Sequence, residues 1–148
     1  MSGNVIVSGD DVVYNKASFS GITLIGETNI SISGKGHASI NNKQVCVLGD
    51  EASAILDVGY NRGLFLAGQG TLSIKKLKDD QQASEDMPDV DSAGILILAG
   101  QEFEAEFTIT TPGTYIDSTG KHEDEGAEKI SGSGTFTPTE TWVTVAVS

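Results

Sequence analysis

Basic and cross-linkable residues are scarce in this sequence. Nine of 148 residues are Lys or Arg, against 21 Asp and Glu, which gives a formal net charge of -12. So acidic a chain repels phosphate backbones and anionic membrane surfaces. Its one basic cluster, Lys75, Lys76 and Lys78, is too small to displace counterions from nucleic acid, which excludes that class of partner. A single cysteine, Cys46, rules out an intramolecular disulfide. No apolar run approaches the ~20 residues of a membrane-spanning helix. The first ten residues lack the basic start and apolar stretch of a Sec signal peptide. The expectation is cytoplasmic synthesis, with any export by a leaderless route. Proline occurs three times, and only two histidines are present, His37 and His122.

That histidine shortage limits catalysis. A nucleophilic triad needs a His base beside Ser or Cys and an orienting carboxylate. His37 follows Gly36, His122 lies in an acidic run, and no Gly-x-Ser-x-Gly elbow leads into a helix. Ser131-Gly132-Ser133-Gly134 lacks both the spacing and the helix. Carboxylates are plentiful enough for a glycosidase pair, but acidic runs are usually solvated faces, and aromatic rings to hold a sugar are few. Neither a Walker loop nor a dinucleotide fingerprint is present, and the acidic runs lack the EF-hand register. His37 and Cys46 are candidate metal ligands, because a hairpin at Asn41-Asn42 would bring them together. No spacing matches a zinc motif, however, and a partly exposed His with a buried Cys is the plainer reading. The sequence therefore implies no cofactor and no enzyme.

Glycine and alternation, by contrast, are abundant. Eighteen glycines suit many turns and weaken helix interiors. In Glu102 to Thr110, Phe103, Ala105, Phe107 and Ile109 point one way, and Glu102, Glu104 and Glu106 point the other. This is a half-buried strand with an acidic outer face. Further strands are expected at Val5 to Val7, Val12 to Tyr14, Thr23 to Ile25, Thr28 to Ile32, Ala38 to Ile40 and Val45 to Leu48. Ala54 to Val58, Thr71 to Ile74, Ile95 to Leu98 and Thr141 to Val147 complete the set. Asn41-Asn42, Gly49-Asp50, Asn61-Arg62-Gly63 and Pro112-Gly113 read as turns. One or two helical turns fit only at Ile74 to Gln82.

The fold class expected is all-β: an antiparallel β-sandwich or barrel of roughly eight to twelve strands, in one domain over residues 1–148. Two acidic loops are expected to be exposed. Residues 78–92 carry Asp79, Asp80, Glu85, Asp86, Asp89 and Asp91, and residues 118–128 carry Glu123, Asp124, Glu125 and Glu128. These carboxylates, with Glu102, Glu104 and Glu106, are the candidate partner-binding groups. Aliphatic-small-Gly patterns recur at Gly34, Gly68, Gly100 and Gly132, spaced 34, 32 and 32 residues apart. They mark either a repeated unit or a common strand ending.

Ile40-Asn41-Asn42-Lys43-Gln44-Val45-Cys46-Val47-Leu48-Gly49-Asp50 resembles the hydrophobic-Asn-Gly-Lys-x-Val-Ala-x-x-Gly-Asp stretch of PAAR-repeat proteins, the β-rich tips of the bacterial type VI secretion spike. Asn42 stands where that family prefers Gly, and Asn tolerates the same left-handed backbone. The Pro-Ala-Ala-Arg sequence is absent, and the family's apical His and Cys zinc ligands are not reproduced. The chain as a whole also resembles small proteins of Gram-negative bacteria. The resemblance implies a non-enzymatic structural or interaction protein of the bacterial envelope or a secretion apparatus, with a protein partner. The alternative is a carbohydrate-type ligand-binding domain, with Trp142, Tyr60 and Tyr115 as stacking rings; packing in the core is the competing role for all three.

Overall fold

A computed structural model describes residues 2–36, 38–83, 95–139 and 144–146. His37, Glu85, Asp86, Asp89, Asp91 and Trp142 lie outside the described residues. The described residues are all-β, with three short 3-10 turns and no α-helix. Thirteen strands are present among the described residues, slightly more than the sequence suggests, and several are only two or three residues long.

The main sheet joins nine of them. β2 is Asp11–Tyr14, β3 Thr23–Ile25, β4 Asn29–Ser31, β7 Leu56–Arg62, β8 Phe65–Lys76, β9 Phe103–Thr111 and β12 Lys129–Thr137. These seven run side by side in the order β3-β7-β8-β9-β12-β2-β4, every pair antiparallel. β3 and β4 occupy opposite ends of that path, yet only Gly26, Glu27 and Thr28 separate them in the chain. A flat sheet cannot satisfy that connection, so the sheet curls into a half-barrel. Of the two architectures the sequence allows, it takes the barrel-like one. The inward alternation supplies the core: Val12, Tyr14, Leu24, Val58, Tyr60, Leu72, Phe103, Ala105, Phe107 and Phe136 are all buried. Each large aliphatic or aromatic among them contributes about 1.5–3 kcal/mol on burial.

Two strands make room for this aromatic core with glycine. A side chain at Gly70 would meet the Phe107 ring, and one at Gly134 would stand 2.5 Å from the Phe103 ring. Tyr14 and Phe136 pack on Phe103 with centroids 5.7 and 5.1 Å away, the first edge-on and the second tilted. Such pairs add about 0.5–1.5 kcal/mol beyond their burial.

The remaining strands are smaller. β1 (Ser2–Asn4) pairs with β13 (Thr144–Ala146), and β5 (Ser39–Ile40) pairs with β6 (Lys43–Gln44). The β5–β6 turn is Asn41-Asn42, with φ of 51° and 66°, as its residues led us to expect. β10 (Thr114–Asp117) and β11 (Gly120–Glu123) form a hairpin between β9 and β12. Residues 118–128 are therefore not one continuous loop. The helical turn allowed at Ile74 to Gln82 is a single 3-10 turn, Asp79–Gln81.

Candidate functional site

Three short segments form a closed triangle at one end of the half-barrel. They are Val5-Ile6-Val7, Val45-Cys46-Val47 and Leu96-Ile97-Leu98. The last residue of each bridges the first of the next: Val7 with Val45, Val47 with Leu96, and Leu98 with Val5. Their central residues are hydrogen-bonded in a cycle. Cys46 N–H donates to the Ile6 carbonyl at 2.9 Å, Ile97 N–H to Cys46 at 2.9 Å, and Ile6 N–H to Ile97 at 3.0 Å. A second cycle follows the same rotation, with Ser8 N–H donating to Gln44, Leu48 to Ile95 and Ala99 to Asn4, each at 2.8 Å. Two cyclic sets of three bonds define a pseudo-threefold axis through a single chain.

The rotation extends into the sheet. Each segment leads through a turn into an antiparallel strand pair of the half-barrel: β2 with β4, β7 with β8, and β9 with β12. The β10–β11 hairpin is an insertion in the third unit. Each turn carries a glycine with positive φ, 94° at Gly9, 107° at Gly49 and 54° at Gly100, a region where a Cβ is penalised. The turns are held by buried acceptors. Asp10 Oδ2 accepts the Val7 N–H at 2.9 Å, and Asp50 Oδ2 accepts the Val47 N–H at 2.9 Å. Asp10 Oδ1 also accepts from Thr139 N–H and Oγ1, and Asp50 from Lys35 N–H. The third unit has Gln101 in place of Asp, and Leu98 N–H instead donates to the Gln81 carbonyl at 2.9 Å.

Side chains of the triangle alternate between two cores. Ile6, Cys46 and Ile97 face the half-barrel interior. Val5, Val7, Val45, Val47, Leu96 and Leu98 form a second cluster with Ala83. Cys46 is fully buried, and burial, with the charges of Asp50 and Asp10, pushes its thiol up to about 12. It is held as a neutral core group. Among the described residues no group of three or more His, Cys, Asp and Glu is placed to hold a metal ion.

The glycine pattern singled out in the sequence does not follow this symmetry. Gly100 lies in a triangle turn, Gly34 follows β4, and Gly68 and Gly132 lie within β8 and β12. The related segments are residues 4–10, 44–50 and 95–101. Their signal is in the sequence: Val5-Ile6-Val7-Ser8-Gly9-Asp10 and Val45-Cys46-Val47-Leu48-Gly49-Asp50 share Val, Val, Gly and Asp in register.

The described members of the predicted acidic set differ in exposure and partners. Asp79, Glu102, Glu123 and Glu125 are exposed. Glu104 and Glu106 are half-buried on β9, and Glu106 stands 3.9 Å from both Lys75 Nζ and Lys129 Nζ. Asp80 accepts the Gln101 N–H at 2.9 Å. Asp124 departs most from expectation, being only 9% exposed. Its carboxylate accepts from Tyr60 Oη at 2.8 Å, Arg62 Nη1 at 3.0 Å and Gly126 N–H at 2.9 Å. Burial pushes this carboxyl up, but those donors and the guanidinium charge outweigh it and hold it below the usual range. Tyr60, a candidate stacking ring, is fully buried and accepts the Gly113 N–H. Tyr115 is half-buried beside Phe65 and His122.

The described residues build a β body organised about a pseudo-threefold axis, with its buried side-chain nitrogen and oxygen atoms hydrogen-bonded. The family described as contractile injection system spike tip protein matches residues 1–146. The chain belongs to that family. No curated protein matches it. The family makes this a structural protein of a secretion machine with protein partners, as the residues around Asn41 to Asp50 led us to expect. Among the described residues no helix is long and apolar enough to cross a membrane.

Proposed function

We propose that this protein caps a homotrimeric partner in the injection machine, one copy per trimer, with its pseudo-threefold axis on the partner's threefold axis. The cyclic hydrogen-bonded triangle carries this reading. A homotrimer presents three identical edges about one axis, and a single chain can meet all three alike only if its own backbone repeats three times about that axis. The exposed carboxylates Asp79, Glu102, Glu123 and Glu125 are the surface groups this reading offers to basic residues of neighbouring proteins. The role is non-enzymatic. The chain travels with the assembled machine.

Native mass spectrometry of the spike, isolated from cells that assemble it, tests the proposal. One copy of this chain with three copies of one partner is the expected composition. Equal numbers of the two chains would overturn it.

A further inference from the structure

The β10–β11 hairpin, inserted between β9 and β12, brings a pocket of about 470 Å³ with it. Phe65, Tyr115, Lys121, His122, Glu123 and Glu125 line it. Register explains the ring cluster. Tyr115 pairs with His122 across the hairpin, so their rings share a face and stack with centroids 4.6 Å apart. Thr114 pairs with Leu66, which brings Phe65 beside Tyr115 at 5.1 Å. His122 Nε2 lies 3.0 Å from Asp117 Oδ1 and 2.8 Å from Thr119 Oγ1, which fixes the imidazole. The pocket's size lies within the roughly 300–1,000 Å³ of ligand sites.

We propose that this pocket binds a neutral saccharide. The lining mixes charges of both signs: an anion meets Glu123 and Glu125 as well as Lys121, and a cation meets Lys121 as well as the two carboxylates. A sugar hydroxyl both donates and accepts, so it satisfies an ammonium and a carboxylate in the same site. The C–H edge of a sugar ring packs on the wall formed by Phe65, Tyr115 and His122. None of these side chains belongs to the hydrogen-bonded triangle, and although Glu123 and Glu125 are also among the carboxylates offered to neighbouring proteins, binding to the isolated chain reads the pocket independently of docking.

Saturation-transfer NMR and calorimetry on the full chain test it. The probes are D-glucose, D-galactose, D-mannose and N-acetyl-D-glucosamine, with L-arginine amide and inorganic phosphate as the charged comparisons. At least one saccharide should bind more tightly than either charged probe. Its Kd should rise about tenfold in Tyr115→Ala, as the loss of one ring contact implies. Glu123→Gln, at an exposed position, should also weaken binding while circular dichroism stays unchanged. A lipopolysaccharide arm separates sources: retention on it identifies a surface glycan, and monosaccharide binding alone identifies a free sugar. The proposal is overturned if no saccharide binds, if arginine amide or phosphate binds best, or if both variants bind the saccharide as tightly as the parent.

Discussion

The broken symmetry of the triangle turns yields an internally controlled stability experiment. Asp10, Asp50 and Gln101 occupy equivalent places in the three units, but only the aspartates hold the turn by a side chain. Truncating Asp10 to Ala strips the acceptor from the buried Val7 N–H and from both Thr139 donors. A buried donor left without a partner costs about 1–3 kcal/mol, and bonds to a charged acceptor are at the strong end. Asp10→Ala should therefore cost about 3–5 kcal/mol. Asp50→Ala, which frees the Val47 and Lys35 N–H groups, should cost about 2–4 kcal/mol. In the third unit the Leu98 N–H is satisfied by the Gln81 backbone, so Gln101→Ala should stay within about 0.5 kcal/mol of the parent. Urea unfolding, followed by circular dichroism, reads these differences. Each aspartate variant should lower the midpoint by roughly 1–2 M at an unchanged slope. Equal midpoints for Asp10→Ala and Gln101→Ala would refute the reading that the first turn depends on the side chain at this place and the third does not.

Other consequences follow from the core and the clamp at Asp124. Gly134→Ala places a Cβ 2.5 Å from the Phe103 ring and 2.7 Å from the Val13 carbonyl oxygen, one rigid neighbour and one backbone atom. It should cost about 2–3 kcal/mol and lower Tm by about 5–10 °C; a Tm equal to the parent's would contradict the close approach. Asp124 is held ionised by Gly126, Tyr60 and Arg62, so its folded pKa lies below its unfolded value of about 3.9. The stability this adds is complete above about pH 4 and is lost as pH falls further through the depressed value. Asp124→Asn should thus be less stable than the parent at pH 7, and the gap should narrow toward pH 3. Urea midpoints that run parallel across that range would sink the idea.

Residues whose partners lie close in sequence were readable, and those whose partners lie far away were not. The strand at Phe103–Thr111 declared itself through strict alternation, and the structure keeps the Phe103, Ala105 and Phe107 face buried. Asn41-Asn42 declared its turn because both side chains tolerate the left-handed backbone. β8 did not: Gly68 and Gly70 look like turn residues, but they lie mid-strand beneath Tyr60 and Phe107. Nothing local reports that an aromatic ring from another strand will cover them. Asp124 looked solvated because Glu123 and Glu125 flank it, while its partners Tyr60 and Arg62 are 64 and 62 residues away. Phe65 attracted no notice beside Gly63, since its neighbour Tyr115 arrives only through the pairing of β8 with β10.

The triangle also sets the order in which this chain can fold. Its first side, Val7 with Val45, needs residues fewer than forty positions apart, but its last, Leu98 with Val5, spans most of the chain. The seam between β2 and β12 is longer still, joining Asp11 to Thr137. A growing chain can therefore finish its first two units and still lack a closed core, with Ile6 and Cys46 waiting for Ile97. Contacts of such large sequence separation incur loop-closure entropy before any burial offsets it. Folding should be slow for a chain of this size, and closure of the third unit should be the step that commits the rest.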